Sequence, residues 1–164
     1  MKVSEVMTRN PITVAPDTPV AEVSRTMKKN RIGGLPVVEG DNLVGIVTET
    51  DILSLLNPPE ISDDLWLPSP FEIIEVPIRE LMNWEKTKEA LSDIGEIPVS
   101  EVMTDDVIAI DADEDIEAAA SMMMKEGVAR LPVLENGMLA GILTRADIVR
   151  GIGSGYNPDA SEEE

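Results

Sequence analysis

One segment occurs twice in this chain, 96 residues apart, and this duplication constrains the fold more than any other feature. Residues 3–8 recur unchanged as residues 99–104. At that spacing, with no gap, 20 of the 52 positions in residues 3–54 are identical to their partners, whereas average residue usage would give roughly one in fifteen. The chain therefore holds two copies of one small unit. Because a unit of about 50 residues buries too little surface to be stable alone, the copies are expected to share a core.

The hydrophobic pattern predicts that each copy folds as strand, helix, strand, strand, helix. In the first copy the predicted strands and last helix occupy residues 12–14, 35–38, 43–47 and about 49–56. Apolar side chains recur at helical spacing on the first helix of each copy, at Val20, Val23 and Met27 and again at Ile116, Ala119 and Met123. The residues between the last two strands, 39–42 in the first copy and Asn136-Gly137 in the second, have hairpin-turn chemistry.

Residues 57–97 have no counterpart in either copy. Prolines in their first half exclude a continuous helix there, and the apolar spacing over residues 78–94 predicts an amphipathic helix that ends at Gly95. The tail contains glycines and glutamates and is expected to be disordered. The expected organisation is a first repeat at 1–56, an insertion at 57–97, a second repeat at 98–152 and a disordered acidic tail at 153–164.

Composition removes several functional classes. The chain has no Cys and no His, so disulfides, thiolate nucleophiles, imidazole bases and most transition-metal sites are not expected. Its net charge of −19 repels phosphate backbones, which argues against nucleic-acid binding. No apolar run approaches the ~20 residues that span a bilayer, and no secretory leader is evident, so no membrane association and a cytoplasmic location are expected. Carboxylates are plentiful but form no recognisable catalytic arrangement, so an enzyme is not expected.

A recurrent motif, hydrophobic-Gly-hydrophobic-hydrophobic-Thr-x-x-Asp, occupies residues 44–51 and 140–147 at the passage from a strand into a helix. Thr48 with Asp51, and Thr144 with Asp147, are three residues apart and project from one side of a first helical turn. A carboxylate can accept hydrogen bonds from both hydroxyls of a ribose, and a threonine hydroxyl adds a further contact. The same spacing also fits a helix-capping box. Ribose binding and capping both remain open, and they can coexist.

Together with Leu-Pro-Val upstream and the opening Val-Met-Thr, this motif resembles the tandem CBS-domain pair, or Bateman module, of the stand-alone type. The resemblance covers about residues 3–56 and 99–152. It implies an α+β fold in which two pseudo-twofold-related β-α-β-β-α repeats pack sheet to sheet as one module. It also implies a homodimer, and adenosine-containing ligands in clefts between the repeats, with the ribose held by Thr48, Asp51, Thr144 and Asp147.

The resemblance further implies contacts to the adenine from Ile12, Thr13, Gly34, Leu35 and Pro36 in the first copy and from Ile108, Ala109, Leu131 and Pro132 in the second. The alternative for Leu35 and Leu131 is that they are core residues. Because Ala109 lacks the hydroxyl of Thr13, the two sites are not expected to be equivalent. The phosphate contact that the resemblance implies is Arg130, and Arg31 and Arg145 are further candidates. Each could instead be a solvated surface charge, and Arg145 could pair with a carboxylate.

The expected function is therefore that of a regulatory sensor for AMP, ADP, ATP or an S-adenosylmethionine-like ligand, with no required cofactor or metal and with a regulated protein as partner. Scarce positive charge in the second half favours AMP or ADP over ATP, and S-adenosylmethionine-like ligands come next. The alternative is a constitutive protein-interaction module with vestigial ligand sites. Its working surface would be three aromatic residues of the insertion, Trp66, Phe71 and Trp84.

Overall fold

The structure is a computed structural model that describes residues 1–56 and 88–155. The helices are α1 (Val3–Val6), α2 (Val20–Asn30), α3 (Glu49–Ser54), α4 (88–96), α5 (Ile116–Glu126) and α6 (Arg145–Gly155). The strands are β1 (Thr8–Arg9), β2 (Gly34–Glu39), β3 (Asn42–Thr48), β4 (Ile110–Asp111), β5 (Arg130–Glu135) and β6 (Met138–Thr144), and Val99–Glu101 form a 3-10 turn. In both copies a helix, a two-stranded hairpin and a second helix follow each other in the predicted order.

The first helix of each copy buries the predicted apolar stripe. The buried residues are Val20, Val23 and Met27 on α2 and Ile116, Ala119 and Met123 on α5. The hairpins are also confirmed: Gly40, with φ of 62°, opens the loop between β2 and β3, which is typical of a type II′ turn. Asn136 and Gly137 both have positive φ, as a type I′ turn requires. Helix α3 ends two residues before the predicted limit, at Ser54.

The predicted strand over residues 12–14 is wrong, because only Val14 forms an isolated bridge there. Its counterpart in the second copy is β4, a short strand parallel to β5. Where the first copy has Pro16, the second has Ala112, whose amide donates to the carbonyl oxygen of Leu134 at 2.9 Å. Proline has no amide hydrogen, so the first copy cannot extend its strand in the same way.

Two compact units divide the chain in a way that the repeat alone does not reveal. Unit 1 comprises Met1–Thr13, Pro36–Gly45 and the described residues from Asp105 onward. Unit 2 comprises Val14–Leu35 and the described residues within Ile46–Thr104. The opening segment comprises residues 3–8 in the first copy and 99–104 in the second. Each of these segments lies in the unit that holds the Thr-x-x-Asp motif of the other copy.

In unit 1, the opening segment of the first copy is joined to the sheet of the second. Strand β1 pairs antiparallel with β6 and completes a sheet of order β1-β6-β5-β4. The amide of Val3 donates to the carbonyl oxygen of Glu114 at 2.9 Å. A Cβ atom on Gly141 would lie 2.9 Å from the backbone oxygen of Thr8, so the motif glycine allows β1 to approach β6 closely.

In unit 2, the second copy of the opening segment, residues 99–104, makes the equivalent backbone hydrogen bonds. The amide of Val99 donates to the oxygen of Thr18 at 2.8 Å, and Thr104 exchanges two backbone hydrogen bonds of 2.9 Å with Ile46. Helix α4 is the described end of the predicted amphipathic helix, and it includes Gly95 in its last turn. Residues 78–87 of that prediction lie outside the described residues. A Cβ on Gly95 would be 3.1 Å from the Cβ of Ala21, so α4 packs closely on α2.

The hydrophobic core of unit 1 is formed by side chains from α1, the sheet and both later helices. Its buried members are Val3, Met7, Ile110, Ala112, Ala119, Met123, Leu131, Val133, Leu143 and Ile148. In unit 2, buried apolar side chains include Val20, Val23, Met27, Leu35, Val47 and Val99. Both lists contain the first valine of the opening segment, so that segment contributes to the core of each unit.

An exposed ion pair also fastens the start of the chain in unit 1. The Lys2 ammonium lies 3.0 Å from a carboxylate oxygen of Asp115. The hydrogen bond from Lys2, together with its positive charge, lowers the pKa of Asp115, and Asp115 raises the pKa of Lys2 in return. Because the folded pKa of Asp115 is depressed, its contribution to stability is present above the ordinary aspartate pKa and is lost as pH falls through the folded value. Both side chains are exposed, so solvent screens the interaction.

Two glycines of α6 predict opposite effects of the same substitution. A Cβ on Gly151 would lie 2.6 Å from Cγ1 of Val6, whereas a Cβ on Gly153 would meet nothing within 4 Å. Gly151→Ala is expected to lower the free energy of unfolding by about 1–2 kcal/mol, because overpacking against α1 exceeds the gain in helix propensity. Gly153→Ala is expected to raise it by up to about 1 kcal/mol. Urea titrations followed by circular dichroism measure both, and equal shifts would contradict the close packing of α1 on α6.

Candidate functional site

Both Thr-x-x-Asp motifs lie where the last strand of a copy passes into its last helix. Thr48 ends β3 and Thr144 ends β6. Asp51 and Asp147 are the third residues of the helices that follow. The structure therefore brings together the two members of each predicted pair, Thr48 with Asp51 in unit 2 and Thr144 with Asp147 in unit 1.

One carboxylate oxygen of each aspartate is used by its own threonine. Oδ2 of Asp51 accepts the amide of Thr48 at 2.7 Å and its hydroxyl at 2.9 Å. Oδ2 of Asp147 accepts the same two groups of Thr144 at 2.8 and 2.7 Å. The capping interpretation is thus confirmed in both copies. Since a carboxylate has two oxygens and about four lone-pair sites, Oδ1 is the atom that remains for a ligand.

The two motifs differ at that second oxygen. Arg150, one turn further along α6, forms an ion pair and hydrogen bond with Oδ1 of Asp147. None of the described residues donates a hydrogen bond to Oδ1 of Asp51. Asp147 is only 5% exposed, whereas Asp51 is half-buried. Arg150 lies outside the Thr-x-x-Asp motif, so the motif alone does not point to it, although its spacing of three residues from Asp147 places both on one helical face.

A cavity of about 470 Å³ lies beside Asp147 in unit 1, between α1 and α6. Its lining comprises Met1, Glu5, Val6, Thr8, Asp147, Arg150, Gly151 and Ser154. The volume is within the range of small-molecule sites, and the lining mixes apolar and polar groups. None of the residues implied as adenine contacts belongs to this lining.

The residues implied as adenine contacts fall into two classes. The side chains of Leu35, Pro36, Leu131 and Pro132 are fully buried. The two leucines are therefore core residues, and any contact with a ligand would come from their backbone. Gly34 is buried, Ile108 and Ala109 are half-buried, and Ile12 and Thr13 are exposed.

The three candidate phosphate contacts have different surroundings. Arg130 lies directly opposite Thr144 in the register of β5 and β6, which places it beside the motif of unit 1. The guanidinium of Arg145 donates to the carbonyl oxygen of Val128 at 3.2 Å, so part of its hydrogen-bonding capacity is used within the protein. Arg31 is exposed and ends α2 in the left-handed conformation, with φ of 54°.

Among residues 1–56 and 88–155, no group of three or more Asp or Glu side chains is arranged to hold a metal ion. Within the same ranges, no helix combines the length and apolar character needed to cross a membrane.

Comparison with known families decides what the duplicated unit is. The family model for the CBS domain matches residues 3–58 and again residues 99–154. The chain belongs to the CBS-domain family. The resemblance that the repeated motifs predicted is thereby confirmed, and the two copies are two CBS repeats of mixed α/β structure.

Individual CBS proteins match nearly the whole chain. Protein MJ1426 of Methanocaldococcus jannaschii is 36% identical over 154 residues, which are 93% of this chain and 91% of that protein. The structure of CBSX2, solved in complex with AMP, is 25% identical with a TM-score of 0.66 and covers 93% of this chain and 96% of its own. The CBS domain pair of protein MJ0100, solved with 5′-methylthioadenosine and S-adenosyl-L-methionine, is 23% identical with a TM-score of 0.68 and covers 95% of this chain and 98% of its own. This last likeness concerns the fold alone.

Proposed function

We propose that this protein is a regulatory sensor whose CBS repeats bind adenosine-containing ligands, and that each Thr-x-x-Asp motif contacts the ribose. The observation that carries this proposal is the recurrence of one arrangement in two units. In both, a threonine fixes one oxygen of an aspartate, and this bond orients the second oxygen at the start of a helix. A carboxylate oxygen held in this way is a strong acceptor for a sugar hydroxyl.

The ligand class rests on the comparison with CBSX2, which was solved with AMP and is similar to this chain along nearly its whole length. AMP and ADP are proposed first, followed by S-adenosylmethionine-like ligands and then ATP. The net charge of −19 supports placing ATP last, because each added phosphate raises the repulsion that a ligand must overcome.

The proposed role is regulation and not catalysis. A ligand that binds one conformation of the repeats more tightly than another shifts the population toward it, and a protein partner can recognise that conformation. The alternative, a constitutive interaction module, depends on Trp66, Phe71 and Trp84, which lie outside the described residues.

We also propose that the protein is a homodimer whose contacts come from α3 and α6. Large apolar side chains are exposed at equivalent positions near the ends of both CBS repeats. These are Leu53 and Leu56 in the first repeat, 59% and 48% exposed, and Val149 and Ile152 in the second, 69% and 60% exposed. A second copy would remove these side chains from water, and sedimentation of the purified protein measures the mass directly.

Thermal denaturation in the presence of ligands tests the proposed function. AMP, adenosine and S-adenosylmethionine are each added at about one hundred times their dissociation constant, which should add about 2.7 kcal/mol of stability. Guanosine monophosphate at the same concentration serves as the control for a nonspecific nucleotide effect. If no adenosine compound shifts the melting temperature, the proposed sensor function is rejected and the interaction module is favoured.

A further inference from the structure

Three residues beyond the motif aspartate, the two CBS repeats carry different side chains. The second repeat has Arg150, whose guanidinium pairs with Oδ1 of Asp147. The equivalent residue of the first repeat is Ser54, and its hydroxyl donates to the backbone oxygen of Thr50 at 2.8 Å. The hydroxyl of Ser54 is therefore bonded to its own helix and forms no pair with Asp51.

The two repeats therefore differ at Oδ1 of the motif aspartate, the oxygen that a ligand would use. In both repeats the threonine amide and hydroxyl occupy Oδ2 of the aspartate, so Oδ1 must accept the sugar hydroxyls. In the second repeat that oxygen already receives a charged donor. Asp147 is also more deeply buried than Asp51, since only 5% of it is exposed. A ribose can therefore reach Asp147 only by displacing Arg150 or by sharing its oxygen.

We propose that Arg150 is an internal competitor of the ligand, so that the first repeat binds an adenosine compound more tightly and the second repeat fills only at higher concentration. This inference rests on the proposed function and adds an order of filling to it. The first repeat has Ser54 at the position of Arg150, so no arginine competes with a ligand for Asp51 there.

The expected size of the effect is modest. The Arg150 side chain is 70% exposed, so water screens its ion pair and offers the guanidinium other partners when it leaves. Competition from an exposed pair of this kind corresponds to about a three- to tenfold change in affinity. Such a change is enough to separate the concentrations at which two sites fill.

A reciprocal exchange of the two side chains tests the proposal by calorimetry with adenosine and with AMP. The second site is measured in Asp51→Ala protein, with and without Arg150→Ser. The first site is measured in Asp147→Ala protein, with and without Ser54→Arg. Arg25→Ser, which removes one positive charge whose side chain donates to the carbonyl oxygen of Ala21 on its own helix, is the matched control and should leave both affinities unchanged. Arg150→Gln provides a second variant that removes the positive charge but keeps a polar side chain with an amide donor.

The proposal predicts that Arg150→Ser tightens binding of both adenosine and AMP about three- to tenfold, and that Ser54→Arg weakens both by a similar factor. If Arg150 instead contacts phosphate, Arg150→Ser will weaken AMP and leave adenosine unchanged, and the proposal is overturned. Unchanged affinities in both exchanges overturn it as well. Absence of binding to the wild-type protein rejects the proposed function and this inference together, whereas wild-type binding without the predicted gain rejects this inference alone.

Discussion

Leu131→Ala is expected to lower the free energy of unfolding by about 2–5 kcal/mol, the largest effect on stability among the substitutions considered. Leu131 is fully buried, and it packs in the core of unit 1 with Met123, Val133 and Leu143. Alanine would leave a cavity that rigid neighbours on a sheet and a helix cannot fill. Urea denaturation followed by circular dichroism gives the value directly.

The matched control for this substitution is Met138→Ala on the neighbouring strand. Met138 is also a large apolar side chain, but it is 56% exposed, so its truncation should change stability by no more than about 0.5 kcal/mol. Equal effects of the two substitutions would show that Leu131 is not a core residue and would return it to the list of ligand contacts.

Asp51→Ala is expected to weaken adenosine binding to the first repeat at least about tenfold, because hydrogen bonds to a charged group contribute roughly 1.5–3 kcal/mol each. Asp147→Ala should do the same at the second repeat. Each substitution also removes a helix cap, which costs about 1 kcal/mol of stability without unfolding the protein. Calorimetry measures the affinity, and thermal denaturation of each variant confirms that it remains folded.

Glu49→Ala separates the loss of a ligand contact from a change in the helix terminus. Glu49 is an exposed acidic residue in the first turn of α3, the same turn that holds Asp51. Its removal alters the charge near the helix start but removes no proposed ligand contact, so affinity should stay within a factor of about two. If Asp51→Ala, Asp147→Ala and the double variant all bind adenosine as the wild type does, the assigned sugar contacts are wrong.

The sequence predicted the parts of the fold that depend on local pattern. The helical spacing of Val20, Val23 and Met27 placed them correctly on the buried face of α2, and Asn136-Gly137 correctly marked a hairpin. The strand over residues 12–14 was wrong because the neighbouring prolines deny it the amide bonds that its counterpart makes.

The position of the opening segment could not be predicted in the same way. The repeated sequence is the same whether residues 3–8 pack with their own copy or with the other one. Only long-range hydrogen bonds, such as that from Val3 to Glu114, distinguish the two arrangements. The ion pair of Arg150 was missed for a different reason. The Thr-x-x-Asp motif ends at Asp147 and carries no signal for Arg150, although helical geometry places residue 150 beside it.

Adenosine and 2′,3′-dideoxyadenosine differ only in the two ribose hydroxyls, and titrating both into the wild-type protein tests the ribose assignment most directly. If the motif aspartates accept those hydroxyls, removing the diol should weaken binding at least about tenfold, since hydrogen bonds to a charged group contribute roughly 1.5–3 kcal/mol each. Equal affinity for the two nucleosides would contradict the account, because it would mean that neither aspartate contacts the sugar.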